Sequence, residues 1–286
     1  MHFLRHRFCA LLTPALGLVL SACASDQVEE VAQQPEAELI EASSGSQERR
    51  FANIRQLTFG GENAEAYFST DGSELVFQTT REGVPCDQIY RMDLDGENME
   101  LVSTGDGRTT CGYFYPNDES IVYASTHAGD VECPPPPSFE MGYVWPVYDT
   151  YDIYRVGTDG TELVQLTDEP GYDAEATVSP KGDKIVFTSD RSGDLELYTM
   201  NLDGSNVKQI TFDLGYDGGA FFSPDGLKLI FRSSRPQTEE EIAEYKQLLS
   251  EGLVKPTEME VFICNVDGSD LRQITNLGNA NWAPFF

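Results

Sequence analysis

Histidine is scarce in this sequence of 286 residues, and common catalytic motifs are missing from it. Of three histidines, two lie in the first six residues, which leaves His127 alone in the rest of the chain. One histidine excludes a multi-histidine metal site and gives a Ser-His-Asp triad a single candidate base. The chain has neither a Gly-x-Ser-x-Gly elbow nor a Gly-x-x-x-x-Gly-Lys loop, so no catalytic residue is assigned.

Basic residues are also few. The chain has 19 Lys and Arg against 48 Asp and Glu, a net charge of -29, which would repel a phosphate backbone and excludes nucleic acid as a partner. Hydrophobic residues at 40% exclude a chain that is disordered throughout. The 25 glycines, 15 prolines and 11% aromatic residues favour a β-rich core with many turns.

The N-terminus has the pattern of an export signal. Arg5 and Arg7 precede an apolar run from Phe8 to Leu20, which is too short to span a bilayer comfortably. Residues 1–22 are therefore predicted to be a signal peptide. An ordinary signal cleaved near Ala22 or Ala24 is the alternative to the lipid attachment described next.

The run ends in Leu20-Ser21-Ala22-Cys23, which resembles the bacterial lipobox. The resemblance implies that Cys23 is the lipidation site and the mature N-terminus. Because Ala24 rather than Asp follows, it also implies an outer-membrane anchor in the bacterial cell envelope, facing the periplasm or the surface. Residues 23–50 are predicted to be a lipidated, disordered acidic tether, since they contain no aromatic residue and cannot bury enough apolar surface to become ordered. A short helix around Glu36–Ala42 is the alternative.

The rest of the chain repeats. The tripeptide Gln-Leu-Thr or Gln-Ile-Thr begins at residues 56, 165, 209 and 273, and Leu101-Val102-Ser103 fills the remaining place. The steps of 45, 64, 44 and 64 residues give a period of about 44 with two insertions of about 20. Each unit contains four short strands, and Asp-Gly turns such as Asp203-Gly204 supply the positive φ that tight hairpins need.

Four antiparallel strands per period predict an all-β fold, a β-propeller over residues 51–286 with four full blades. The Phe222-Ser223-Pro224-Asp225-Gly226 turn, the Ile153-Tyr154 strand and the Gln-Leu-Thr strand resemble TolB-like β-propeller repeats, of the WD40-like or PD40 type. The resemblance covers about residues 54–286. It implies a propeller that acts as a non-catalytic scaffold for a protein or peptide in the cell envelope, with the membrane reached only through the lipid anchor.

The chain ends in Trp282-Ala283-Pro284-Phe285-Phe286, which has the pattern of an isolated inner strand without partners. We therefore expect an open or incomplete ring and a fragment truncated at its C-terminus, because rings of this family usually have six blades. A natural four-bladed ring is the alternative, although it leaves an exposed edge.

Charged and polar residues recur at equivalent positions of the repeats. They predict a ring of cations outside a ring of polar and acidic groups, which together form a funnel for a small ligand, a cation or a peptide. Salt bridges and loop caps that serve the repeat itself are the alternative. The candidate ligand-binding residues are Glu65, Arg81, Cys111, His127, Asp173, Glu175, Arg191 and Asp217.

Both insertions join the second and third strands of their units, so they fall on one face. The first, residues 129–150, contains Tyr143, Trp145 and Tyr148 as candidate partner-binding residues. The second, residues 236–256, has a Thr238–Glu241 capping box before an apolar stripe, which predicts a short amphipathic helix. The helix is expected to plug the blade, with a lid or docking surface as the alternative.

Cys86, Cys111 and Cys133 fall on the same face, and an oxidising compartment favours a disulfide there. Cys111–Cys133 is the expected pair and Cys86–Cys111 its rival. No cofactor or metal is expected. A zinc or copper site of Cys86, Cys111, His127 and Cys133 is the alternative, although its spacing matches no known finger pattern. The alternative function is a lyase-like enzyme, or a small-ligand or metal-binding propeller, acting from the channel face.

Overall fold

The computed structural model describes residues 39–40, 52–138, 140 and 142–286. The predicted signal peptide, Cys23 and most of the predicted tether lie outside these residues. Within the tether segment, β1 (Leu39–Ile40) pairs antiparallel with β2 (Ile54–Arg55). Among the described residues, no helix has the length and apolar character needed to cross a membrane.

Four antiparallel sheets of four strands follow one another along the chain, which confirms the predicted all-β propeller with four full blades. Two further strands, β9 (Trp145–Pro146) and β18 (Leu253–Val254), lie in the insertions. The blade strands are β3 (Asn63–Phe68), β4 (Glu74–Thr79), β5 (Gln88–Asp93) and β6 (Glu100–Leu101) in blade one; β7 (Thr109–Phe114), β8 (Ser120–Ser125), β10 (Asp152–Gly157) and β11 (Val164–Gln165) in blade two; β12 (Asp173–Val178), β13 (Ile185–Ser189), β14 (Glu196–Met200) and β15 (Lys208–Gln209) in blade three; and β16 (Asp217–Phe222), β17 (Lys228–Ser233), β19 (Glu260–Asn265) and β20 (Arg272–Gln273) in blade four.

Most of the hydrophobic core lies between neighbouring blades. One cluster joins Val122 and Ile153 of blade two to Phe187 of blade three. Similar clusters join blade one to blade two and blade three to blade four. Because each blade buries its apolar faces on its neighbours, the stability of one blade depends on the next.

The Asp-Gly turns bring neighbouring blades into close contact. Gly204 has a φ of 83°, and a Cβ at this position would overlap the carbonyl oxygen of Leu166 in the preceding repeat. Gly268 has the same relation to Ile210. Glycine is therefore required here for its left-handed backbone and also for the space it leaves to the adjacent blade.

The ring is open between blade four and blade one. Strand β12 is buried along its whole length, whereas five of the six residues of β3 are exposed. In the part of the chain that the structure describes, no strand of blade four packs along a strand of blade one. The two blades meet across the channel, where the rings of Tyr67 and Phe221 lie 5.5 Å apart.

The last residues follow the repeat without forming a regular strand. Met259 and Ala280 form an isolated parallel bridge, and residues 281–286 form no strand. Ala283 nevertheless has a left-handed φ of 47°, which matches the equivalent residues of the four inner strands. The predicted isolated inner strand is therefore present in local conformation but lacks a pairing partner.

The two insertions pair with each other. Strand β9 of the first insertion lies antiparallel to β18 of the second, and helix α1 (Glu239–Ser250) precedes β18. The predicted capping box is confirmed, because Thr238 and Glu241 each accept a hydrogen bond from the other's backbone N–H. We call β9, α1 and β18 together the brace, since they link blade two to blade four across blade three.

Candidate functional site

A cavity of about 540 Å³ opens at the insertion face of the central channel. Its polar wall includes Glu65, Cys111, Glu175 and Arg232 from the blades. Aromatic side chains from the first insertion and the C-terminal segment form its rim, namely Tyr143, Trp145, Tyr148 and Trp282. We call this space the insertion-side cavity.

A bulge in each inner strand supplies the polar wall. The register of β3 on β4 shifts between Ala64 and Tyr67, and the same shift occurs in the other three blades. Glu65, Cys111 and Glu175 occupy these bulges with φ values of 51°, 56° and 57°. The left-handed backbone places these residues in the lining of the channel. The repeat alignment identified these positions, and the structure places them within the inner strands.

Aromatic side chains form the floor of the channel beneath the bulges. The ring of Tyr67 lies 5.3 Å from that of Tyr113, and Tyr113 lies 6.0 Å from Phe221. The ring of Phe285 packs 5.1 Å from Phe221. These rings lie across the middle of the channel, and the insertion-side cavity reaches the polar wall from the insertion face.

Glu175 and Arg232 form a buried ion pair in the wall. The Glu175 carboxylate also accepts hydrogen bonds from the Tyr216 hydroxyl at 2.7 Å, the Thr188 hydroxyl at 2.8 Å and the Gly219 N–H at 3.0 Å. The Arg232 guanidinium lies 5.1 Å from the centre of the Trp145 ring. These fixed donors and the stacked ring hold both charges in place.

Sequence reasoning missed Arg232 and Trp282. Arg232 pairs in register with Gly218, and the equivalent residues of the other second strands are Gln78, Ala124 and Thr188. Arg232 therefore carries a charge at a repeat position that is neutral in the other three blades, and this difference could have marked it as a candidate site residue. The repeat could not mark Trp282 as a candidate site residue in the same way, because Trp282 follows the last complete repeat.

Glu65 is the carboxylate of the cavity that has no ion pair in the described part of the chain. Glu65 is exposed as a whole residue, but the protein around its carboxyl group raises the pKa of that group by desolvation. The Cys111 thiol and Arg232 lower this pKa, and Glu175 and Asp87 raise it. Asp87 is paired with Arg108 at 2.5 Å. When Glu65 is ionised, the two ion pairs and this further carboxylate give the cavity an excess of one negative charge.

Five of the eight predicted ligand-binding residues are engaged away from this cavity. Arg191 forms an ion pair with Asp173 at 2.6 Å, and Arg235 forms one with Asp217 at 2.7 Å. These pairs lie within a blade, between the inner strand and the loop after the second strand. They match the alternative that the repeated charges serve the repeat itself.

Arg81 and His127 occupy the same repeat position in blades one and two. Arg81 donates a hydrogen bond of 3.0 Å to the Asn63 side chain. Nδ1 of His127 lies 2.8 Å from the Ser125 hydroxyl, and its ring packs on Tyr154 with centroids 4.3 Å apart. Burial lowers the pKa of His127. Of the predicted set, Glu65, Cys111 and Glu175 are the residues that converge.

The disulfide differs from the expected pair. Cys86 is bonded to Cys133, with Cα atoms 5.8 Å apart, and Cys111 is free, so neither Cys111–Cys133 nor its rival Cys86–Cys111 forms. The reason is the bulge, which places Cys111 in the cavity wall, 3.2 Å from the Thr110 hydroxyl. The observed bond ties the loop after β4 to the proline-rich insertion of blade two.

The alternative metal set is not brought together, because Cys86 and Cys133 are bonded to each other while Cys111 and His127 have separate neighbours. Within the described ranges, no group of three or more His, Cys, Asp or Glu is arranged to hold a metal ion. Cys264 is buried in the third strand of blade four.

A pair of buried carboxyls lies between blades three and four. Glu196 and Asp217 are both almost fully buried, and Arg235 pairs with Asp217. Oε2 of Glu196 has no hydrogen-bond partner in the described structure. Desolvation, reinforced by the Asp217 charge, raises the pKa of Glu196 to about 8.

We expect Glu196→Gln to stabilise the protein more at pH 8 than at pH 5. When the pKa of a carboxyl group is higher in the folded protein than in the unfolded chain, the folded protein becomes less stable as the pH rises between those two values. The amide stays neutral, so the free energy of unfolding should rise by about 2–4 kcal/mol at pH 8 and by less than about 1 kcal/mol at pH 5. Urea unfolding of both proteins at each pH measures this, and an equal effect at both pH values would contradict it.

These features define a β-propeller of four blades with a polar, aromatic-rimmed cavity at one end of its channel. Residues 144–255 match the family model described as PD40, the TolB beta propeller domain. The chain is 28% identical over 122 residues to an uncharacterized protein of Agrobacterium fabrum, a match that covers 43% of this chain and 34% of that protein.

Solved structures have the same fold. A protein assigned as TolB from Agrobacterium tumefaciens superposes with a TM-score of 0.57 at 21% identity, covering 74% of this chain and 64% of that one. TolB from Acinetobacter baumannii gives 0.52 at 18% identity, covering 75% and 44%. An oligogalacturonate lyase in complex with manganese gives 0.51 at 14% identity, covering 77% and 55%. The chain thus spans about a third of the curated relative and less than two thirds of these structures.

Proposed function

We propose that this protein is a lipid-anchored scaffold of the bacterial cell envelope that binds a protein or peptide at the insertion-side cavity. The observation that carries this proposal is the exposed aromatic rim above a polar wall. Tyr143 is 57% exposed and Trp282 45% exposed, and their rings lie 6.4 Å apart. Exposed aromatic residues grouped at a cavity are typical of sites that bind polypeptides.

The TolB-type repeats and the lipobox-like Leu20–Cys23 support the same proposal. The lipid at Cys23 would keep the propeller at the membrane. The brace orients the rim, because Trp145 lies in β9 and packs on Tyr216 and Arg232 of blade four. A rim held by two insertions offers a preformed surface, which lowers the entropic cost of binding.

A photo-crosslinking amino acid at position 143 tests the binding surface in the producing cells. We expect a crosslinked protein adduct from position 143. Leu227 is the matched control, since it is equally exposed at 57% but lies in a turn on the opposite face. Adducts of equal yield from both positions, or from position 227 alone, would place the partner elsewhere.

The same experiment with Cys23→Ser tests the anchor. Without the acylated thiol, the adduct should move from the membrane fraction to the soluble fraction. An adduct that stays in the membrane fraction would contradict lipid attachment at this cysteine while leaving the binding surface supported.

A further inference from the structure

The charges of the insertion-side cavity do not balance. Arg232 is committed to Glu175 and Arg108 to Asp87, so both cations of the wall already have a carboxylate. Glu65 remains as the additional carboxylate. The Cys111 thiol interacts with it, but it forms no ion pair with a residue of the described part of the chain. A ligand that brings one positive charge would complete the balance, whereas an anion would meet three carboxylates.

The rim is also suited to a cation. The Arg232 guanidinium occupies the face of Trp145, which shows that this aromatic cluster accepts a positive charge on its rings. Trp282 and Tyr143 form the adjacent part of the rim, and the planes of their rings lie at 34° to each other. A cation that enters past these rings moves from an aromatic rim to the Glu65 carboxylate beneath it.

A charged group on an apolar stem matches both the aromatic rim and the polar wall of the cavity. The cavity of about 540 Å³ reaches the bulge residues, and a second space of about 290 Å³ continues from them to the aromatic floor of the channel. A lysine side chain has a flexible apolar stem with a compact charge at its end, so its stem can lie along the aromatic rim while the ammonium reaches the wall. The net charge of -29 would steer a basic segment toward the protein.

We propose that the insertion-side cavity binds the primary ammonium group of a partner polypeptide, with the Glu65 carboxylate as its counter-ion and the Tyr143–Trp282 rim around its stem. This inference deepens the proposed scaffold function and rests on it. It assigns the ligand chemistry of the cavity and names Glu65 as the residue that selects for positive charge.

The two tryptophans of the chain, Trp145 and Trp282, both line the cavity, so intrinsic fluorescence reports on this site directly. The probe is the pentapeptide acetyl-Ala-Ala-Lys-Ala-Ala-amide. We expect a saturable fluorescence change, and at least a tenfold weaker affinity for the same peptide with Nε-acetyl-lysine. Equal affinity for both peptides would overturn the proposal. Free cadaverine is the second arm, since tighter binding of this diamine would assign the site to small polyamines instead.

Glu65→Gln should weaken binding of the lysine peptide at least tenfold. Glu97→Gln is the matched control, because Glu97 is an exposed carboxylate in the β5–β6 turn of the same blade, at the opposite face, and should leave the affinity unchanged. Glu65→Asn is a second variant, since asparagine tolerates the left-handed backbone at this bulge. Retained affinity in both Glu65 variants would overturn the proposal.

The two proposals fail in different ways. A crosslink at position 143 without lysine-peptide binding would keep the scaffold function and reject the ammonium site. Lysine-peptide binding without a crosslink would keep the site and reject a macromolecular partner at this rim.

Discussion

Replacing Cys86 and Cys133 with serine is expected to lower the free energy of unfolding by about 4 kcal/mol. The disulfide closes a loop of 47 residues, and a loop of this length restricts the unfolded chain by about that amount. For a domain of this size the melting temperature should fall by about 10 °C. Urea unfolding of the two proteins under non-reducing conditions measures the difference.

Cys111→Ser is the control for this prediction. Its thiol is free, so the variant should keep the disulfide and lose little stability. Peptide mapping after alkylation should find Cys86 joined to Cys133 in both the parent protein and this variant. If Cys111→Ser instead removes the disulfide, the observed pairing is refuted.

Arg232→Met is expected to cost about 3–5 kcal/mol of stability, because it leaves the buried Glu175 carboxylate without its cation. Chemical denaturation followed by circular dichroism measures the loss. Adding Glu175→Gln to this variant should recover a large part of it, since the uncompensated charge is then gone. A double variant no more stable than Arg232→Met would show that packing, rather than charge, holds this region.

Arg91→Met is the matched control for the same substitution. Arg91 pairs with Glu74 and Glu100 on the surface of blade one, where Glu100 is 57% exposed. Surface ion pairs contribute less than about 1 kcal/mol, so this variant should remain close to the parent protein. Equal losses at Arg91 and Arg232 would contradict the distinction between the two pairs.

The blades could be predicted from the sequence repeat because the same backbone requirement, an Asp-Gly turn, recurs in every unit. The Asp-Gly turn must take a left-handed backbone and must also lie against the preceding blade, so glycine is required at Gly204 and Gly268 alike. The same logic located the bulge residues by alignment. The pairing of β9 with β18 was not predicted, because two-residue strands in unrelated insertions carry no repeated pattern.

The site was predicted only where it coincided with the repeat. Glu65, Cys111 and Glu175 were found because they share a position, although the same rule also selected Asp173 and Asp217, whose charges are used inside the blades. The disulfide was assigned wrongly because spacing does not show which way the bulge turns the Cys111 side chain. Tertiary packing decides that direction.

The brace also constrains the order in which the molecule assembles. Pro146 pairs with Leu253, and every strand of blade three lies between them in the chain. Contacts of such long sequence separation form late, after the intervening segment has folded. Trp145 therefore takes its place over the channel only when blades two, three and four are already built. An immature chain would have much of its sheet before it had a finished rim, so under the proposed scaffold function the path of the chain itself delays recognition of a partner.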